Sequence, residues 1–190
     1  MKIVSIVGSP RLEANSRKIS QSLIAKIPGT NHIVTEYLLN NLKIKGCQAC
    51  GSCKGKTESC VVVDDLTQVL AKVKEADLIL LGSPVYMTDI TAQMKIFIDR
   101  SYSFLTPEFQ TGPVRSRLAP EKKILWIFTQ GNPDLNAYEE LVFSKYKSYF
   151  EHQGINVKAV KVYCPPEAGE EHPTFKAAIA EGEQILRDFF

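Results

Sequence analysis

Two kinds of apolar pattern alternate along this chain. In the first, apolar residues crowd into short stretches bounded by polar or turn-forming residues: 2–7, 32–39, 77–82, 123–128 and 155–163. These predict five strands, and an unbroken run such as Leu78-Ile79-Leu80-Leu81 is what a parallel strand covered on both faces requires. In the second, apolar residues recur every three or four positions. Ile19, Leu23 and Ile27 do so up to Pro28-Gly29, and Leu66, Val69, Leu70 and Val73 do so behind Asp64-Asp65. Helices are expected there and over 92–104, 135–153 and 173–190. Strands alternating with helices describe an α/β domain over 1–190: a doubly wound five-stranded parallel sheet with helices on both faces. The flavodoxin-like strand order 2-1-3-4-5 would place a ligand crevice at the carboxyl ends of the first and third strands.

The segments that follow the strands are polar and rich in small residues. After the first strand comes Gly8-Ser9-Pro10-Arg11-Leu12-Glu13-Ala14-Asn15-Ser16, leading into a helix. Unpaired backbone N–H groups at a helix start, the hydroxyls of Ser9 and Ser16, and the charge of Arg11 can converge there on a phosphate. Plain capping of the helix by Asn15 or Ser16 is the competing reading. No Gly-x-Gly-x-x-Gly follows the first strand, which favours a mononucleotide over a dinucleotide. Ser83-Pro84-Val85-Tyr86-Met87-Thr88 and Thr129-Gln130-Gly131-Asn132-Pro133-Asp134 occupy the same position after later strands. Tyr86 and Met87 either lie against a planar ring or pack structurally. Trp126 lies within a strand and belongs to the core, and Asp64-Asp65 read as a helix cap rather than as a paired general acid and base. Residues 105–121, with three prolines and Gly112, are long for a connection and point to a lid or subunit contact.

A net charge of +2 gives no electrostatic case for nucleic acid or anionic membrane. The apolar start is too short for a signal peptide and no run approaches a membrane span, so a soluble, cytoplasmic protein with reduced thiols is expected. In that setting the cysteines matter most. Cys47, Cys50, Cys53 and Cys60, four of the five in the chain, fall within the glycine-containing loop 46–60. Three thiols at two-residue intervals and a fourth after six suit an iron-sulfur cluster, although the ferredoxin run has a shorter last gap and a following proline. Zinc, disulfides and free thiols compete; zinc sites usually use two separated Cys-x-x-Cys pairs. Gly51-Ser52-Cys53-Lys54-Gly55-Lys56-Thr57 imitates a phosphate-binding P-loop but has one residue too few between its glycines. Cys164 reads as a bystander thiol, and His32, His152 and His172 are far apart in sequence.

Gly8-Ser9-Pro10-Arg11 with Asn15-Ser16, Ser83-Pro84-Val85-Tyr86, and the cysteine motif ending before Asp64-Asp65 together resemble the NAD(P)H-dependent FMN reductase superfamily, and within it the iron-sulfur flavoproteins. The resemblance implies that Ser9, Arg11, Asn15 and Ser16 hold the FMN phosphate. It implies that Pro84, Val85, Tyr86 and Met87 line the isoalloxazine, with Thr129, Gly131 and Asn132 closing over it. Cys47, Cys50, Cys53 and Cys60 would hold a 4Fe-4S cluster, in a homodimer or homotetramer that keeps the cluster near a flavin. The implied activity passes electrons between cluster and FMN and on to a small acceptor, a quinone or an oxygen species. NADH, NADPH or a ferredoxin-type redox partner would be the donor. A cluster-free NAD(P)H-dependent FMN or quinone reductase is the alternative enzyme. A flavodoxin-like electron carrier and a zinc-stabilised binding module are the alternatives without catalysis. Because FMN exchanges hydrides or single electrons itself, no side-chain acid or base is obligatory.

Overall fold

The computed structural model describes every residue except Thr30, Val114, Glu167 and Ala168. Five parallel strands form the sheet: β1 (Lys2–Val7), β2 (Ile33–Leu38), β3 (Leu78–Tyr86), β5 (Lys123–Gln130) and β6 (Asn156–Tyr163), in the order β2-β1-β3-β5-β6. A two-residue strand, β4 (Asp89–Ile90), folds back antiparallel onto the end of β3. With β4 set aside, the five long strands stand in the flavodoxin-like order. The helices are α1 (Asn15–Ala25), α2 (Asp65–Glu75), α3 (Ala92–Arg100), α4 (Ser144–Glu151) and α5 (Pro173–Phe189).

The alternation of side chains along each strand sorts the apolar residues into two cores. Ile3, Leu78, Leu80, Leu125 and Ile127 face Ile19 and Leu23 of α1 and Phe175 and Leu186 of α5. Val4, Ile6, Ile79, Leu81, Trp126 and Phe128 face the other way, against Leu66, Val69, Met94 and Phe97 of α2 and α3. Both faces of β1, β3 and β5 are therefore dry, as the unbroken apolar runs require. Each large side chain so buried contributes about 1.5–3 kcal/mol. Trp126 is fully buried and stacks on Phe128 with ring centroids 4.8 Å apart.

Three elements differ from the periodicity reading. β3 runs on past Gly82, because Ser83 and Pro84 still pair with Phe128 and Thr129 before the chain turns into β4. α3 stops at Arg100 and tightens into a 3-10 turn over Ser101–Phe104, where the Ser101 hydroxyl donates to the Ile98 carbonyl. The helix expected over 135–153 begins later, with a π-helical segment Glu139–Phe143 ahead of α4. The Asn132 and Asp134 side chains accept from the backbone N–H groups of Asp134 and Asn136, and these local turns take the donors a helix would need.

The 105–121 connection is fastened rather than loose. Leu105 bridges Ser116, and the Arg117 guanidinium donates to the Ser103 and Leu105 carbonyls at 2.9 and 2.6 Å. Asp64 caps α2 in a capping box: its carboxylate accepts from Leu66 N–H at 3.0 Å, and Thr67 Oγ1 accepts from Asp64 N–H. Asp65 accepts from the Lys43 N–H. Both acids thus serve backbone donors. Among the described residues no helix is long and apolar enough to cross a membrane.

Candidate functional site

A crevice opens at the carboxyl ends of β1, β3, β5 and β6, with a volume of about 530 Å³. Ser9, Arg11, Asn15 and Ser16 line one side of it, Pro84, Val85 and Tyr86 another, and Thr129, Gln130 and Gly131 a third. α1 meets it end-on. The residue capping that helix is Ala14, in extended conformation and with no side-chain cap, so Asn15 and Ser16 are not caps but its first helical residues. The Ser16 side chain is fully buried and its hydroxyl has no hydrogen-bond partner. Gly82 allows this approach: a Cβ there would stand 3.3 Å from Ser16 Cβ and the Ser16 carbonyl oxygen. The Ser9 side chain is also buried, and its hydroxyl accepts from Arg11 N–H at 3.2 Å, shaping the turn before the helix.

Gln130, within the 129–132 stretch but not singled out in it, is buried on the third side. Its amide donates to the Asn132 and Asp134 carbonyls at 2.8 and 2.7 Å, which leaves its Oε1 without a partner. Cys164, expected as a bystander, lines the crevice together with Pro165 and Pro166. Burial pushes its thiol pKa up, against a smaller effect of a hydrogen bond with Asn15. These three follow β6 directly, so the rule that pointed to the ends of β1, β3 and β5 would have found them. Met87 and Asn132 do not line the crevice. Met87 is 95% exposed at the tip of the β3–β4 hairpin, where it and Thr88 adopt left-handed φ values of 46° and 65°. The hairpin is held at its base by Asp89, which accepts from the Tyr146 hydroxyl at 2.8 Å and pairs with Lys145.

A second cavity, of about 290 Å³, lies elsewhere on the molecule, and all of Cys47, Cys50, Cys53 and Cys60 line it. No cysteine is in a disulfide; Cys47 and Cys50 are exposed, Cys53 and Cys60 half-buried. The loop turns sharply through left-handed Ala49 and Gly51 into a short 3-10 turn, Ser52–Lys54. The Ser52 backbone N–H, with its hydroxyl, holds the Cys50 thiol below its ordinary pKa. Among the described residues no three His, Cys, Asp or Glu side chains stand in a geometry that could hold a metal ion. The Lys54 ammonium anchors the loop by donating to the Tyr102 and Leu105 carbonyls and lying 4.0 Å from the Tyr102 ring centroid; burial lowers its pKa.

Arg100 forms the floor of this second cavity. Its side chain is fully buried and pairs with Asp64 at 2.8 Å. Burial acts to lower the guanidinium pKa, but Asp64 and the neighbouring Cys60 thiol outweigh it and raise it, so the charge is secure. α3 connects the two cavities. At its start Thr91 donates through its hydroxyl to the Gly8 carbonyl at 2.7 Å, and through its N–H to Ser83 Oγ; at its end stands Arg100. The histidines belong to neither cavity: His32 contacts the Pro28 carbonyl, His152 contacts Arg115, and His172 caps α5.

Residues 1–115 match the family described as NADPH-dependent FMN reductase. The chain belongs to that family. Within it, the chain is 40% identical over 100 residues to an iron-sulfur flavoprotein of Archaeoglobus fulgidus, covering 53% of this chain and 45% of that protein. An iron-sulfur flavoprotein of Methanocaldococcus jannaschii is 39% identical over 102 residues, covering 53% and 52%. The chain thus spans about half the length of the curated relatives it matches. In fold it is similar to an FMN-dependent NADH-azoreductase of Bacillus anthracis solved in complex with FMN. That likeness has a TM-score of 0.72 at 14% identity, over 99% of each chain. At the β1 and β3 ends, the unpartnered Ser16 hydroxyl on the crevice wall is a donor whose chemistry suits a phosphate.

Proposed function

We propose that this chain is an FMN-dependent oxidoreductase that couples the flavin to a 4Fe-4S cluster and delivers electrons to a small acceptor, a quinone or an oxygen species. The observation that carries the flavin half is Ser16: a fully buried hydroxyl with no partner, in the first turn of α1, on the wall of the crevice. Burying an unsatisfied polar group costs about 1–3 kcal/mol, and a phosphate at the helix N-terminus removes that cost. Ser9, Asn15 and the Arg11 charge surround the same position. Gln130 Oε1 is an unpartnered acceptor on the opposite wall, and the donors a flavin mononucleotide offers to it are a ring N–H and the ribityl hydroxyls. Pro84, Val85 and Tyr86 supply apolar surface for the ring, while Gly131 leaves its backbone open to close approach. Bound FMN supplies the hydride and single-electron chemistry; the chain holds the phosphate, orients the ring and limits water.

The cluster half rests on the donor set. Four thiols lining one cavity, free of disulfides and beside a secure guanidinium charge, fit an iron-sulfur group in kind and number. Bound there, the cluster supplies one-electron exchange, and Cys47, Cys50, Cys53 and Cys60 are its ligands. NAD(P)H is the proposed donor, in keeping with the family's name, and a homo-oligomer the proposed assembly.

An anaerobic absorbance spectrum of freshly purified protein, with iron, zinc, acid-labile sulfide and flavin assayed on the same sample, tests both halves. Flavin bands, broad cluster absorbance and about four irons per chain are expected. Flavin without iron after anaerobic reconstitution removes the cluster and leaves a cluster-free reductase. A sample that binds no FMN overturns the proposal.

A further inference from the structure

Arg100 is the last residue of α3 and is far from the cysteines in sequence, yet it touches both flanks of the segment that carries them. Its Nη1 donates to the Lys45 carbonyl at 3.0 Å, two residues before Cys47, and to Asp64 Oδ2 at 2.8 Å. Its Nη2 donates to the Val62 carbonyl at 2.8 Å, two residues after Cys60. Asp64 completes the knot by accepting from Lys45 N–H at 2.8 Å with the same oxygen. The exit and the return of the cysteine loop are therefore tied to one buried, planar cation. Its Nε is buried and, alone among its nitrogens, has no partner, although the residue lines the cavity.

A guanidinium this deeply buried must be paired and hydrogen-bonded to be tolerated, and the N–H groups left over, the one on Nε and the second on Nη2, call for an acceptor. The acceptors lining that cavity are the four sulfurs together with oxygens of Gln48, Asp99, Tyr102 and Ser103, and the sulfur beside the guanidinium is that of Cys60. We propose that Arg100 is the positioning residue of the cysteine cavity. It closes the two ends of the loop whose four thiols line the cavity, and it keeps its remaining N–H groups and its charge for the sulfur-rich group they bind. The second role rests on the iron-sulfur reading above; the first does not. Lysine cannot replace it, because one ammonium cannot present a planar fork to three acceptors placed on either side of the loop.

The test uses full-length protein with three measurements: amide hydrogen exchange, iron and sulfide content after anaerobic reconstitution with ferrous iron and sulfide, and the midpoint potential of the reduced centre. Two variants are compared with wild type. Arg100→Lys keeps the charge, and the double variant Arg100→Gln/Asp64→Asn leaves no lone charge buried, so the fold survives in at least one of them. In both, exchange over 45–62 accelerates tenfold or more while β5 amides keep their protection, and iron per chain falls by half or more. Whatever centre the double variant retains has a lower midpoint potential, because guanidinium N–H donors to its sulfurs have gone, while the cation and its paired anion leave together. Loop closure without iron uptake is separable: if wild type itself takes up no iron but both variants still loosen 45–62, the positioning role stands and the iron-sulfur reading alone falls. Unchanged exchange over 45–62 in both variants overturns the proposal, as does a double variant that loads fully at an unshifted potential.

Discussion

Ser16→Ala is expected to push stability and cofactor binding in opposite directions. The hydroxyl is fully buried and has no partner within the protein, so in flavin-free protein it carries the cost of an unsatisfied polar group, about 1–3 kcal/mol. Alanine removes that cost and is also the better helix former. Flavin-free Ser16→Ala is therefore more stable by about 1 kcal/mol or more, which for a chain of this size raises the melting temperature by about 2–4 °C per kcal/mol. With FMN the sign reverses. A hydrogen bond to a charged phosphate contributes about 1.5–3 kcal/mol, so its loss weakens FMN binding roughly ten- to hundredfold. Riboflavin, which has the same ring and ribityl chain but no phosphate, separates the phosphate contact from general damage. Thermal melts of flavin-free protein and fluorescence-quenching titrations with both flavins give the three numbers needed. An equal loss for FMN and riboflavin, or a lower melting temperature in the flavin-free variant, would refute the assignment of Ser16 to the phosphate.

Gly8→Ala should destabilise by about 1–3 kcal/mol, visible in a thermal melt, because the new Cβ would lie 2.7 Å from both Met94 Cβ and Thr91 Oγ1, and neither is a free side-chain end. For Asp64, burial acts to raise the pKa, but donors from Arg100, Lys45 and Leu66 outweigh it and hold it below the usual value. The stability this supplies is complete above about pH 4 and lost as pH falls through the depressed folded value. Urea melts from pH 7 down to pH 3 should show that loss, with a flatter profile in Asp64→Asn. The Tyr146 phenol is pushed above its usual pKa by burial, then by Asp89. Burial also raises the Tyr149 and Tyr37 phenols, so ultraviolet titration should leave these three protonated after the exposed tyrosines have ionised, and Tyr146→Phe should shrink that late step by one tyrosine and cost about 1–3 kcal/mol in urea melts.

The layered α/β architecture was legible because unbroken apolar runs have few other uses: Leu78 to Leu81 and Ile124 to Phe128 need cover on both faces, and they receive it. Helix ends were less legible. The delay before α4 is set by side chains of Asn132 and Asp134 capturing backbone donors, a local competition that apolar spacing does not register. At the crevice, Ser9, Ser16 and Tyr86 were readable from their position after strands. Gln130 was not singled out within its stretch because a glutamine at a strand's end looks like any polar residue; only its burial and its idle oxygen distinguish it. Met87 stands apart from Tyr86 despite following it in sequence, since a tight turn sends it into solvent. Arg100 gave no sequence signal, because it lies forty residues beyond Cys60 and inside an otherwise ordinary helix.

The tie of α3 at both ends gives that helix a second property, its phase. Thr91 is held at the ends of β1 and β3, and Arg100 at the cysteine loop, so the helix fixes a spacing of about 1.5 Å and a rotation of about 100° for every residue between them. Exposed Lys95 can change identity at little cost to this arrangement. Adding or deleting a single residue is a different matter, because it would swing Arg100 more than a quarter turn out of its knot while leaving every side chain of the cysteine loop intact. Helix length, rather than any one side chain along it, is thus the quantity that keeps the two cavities in register.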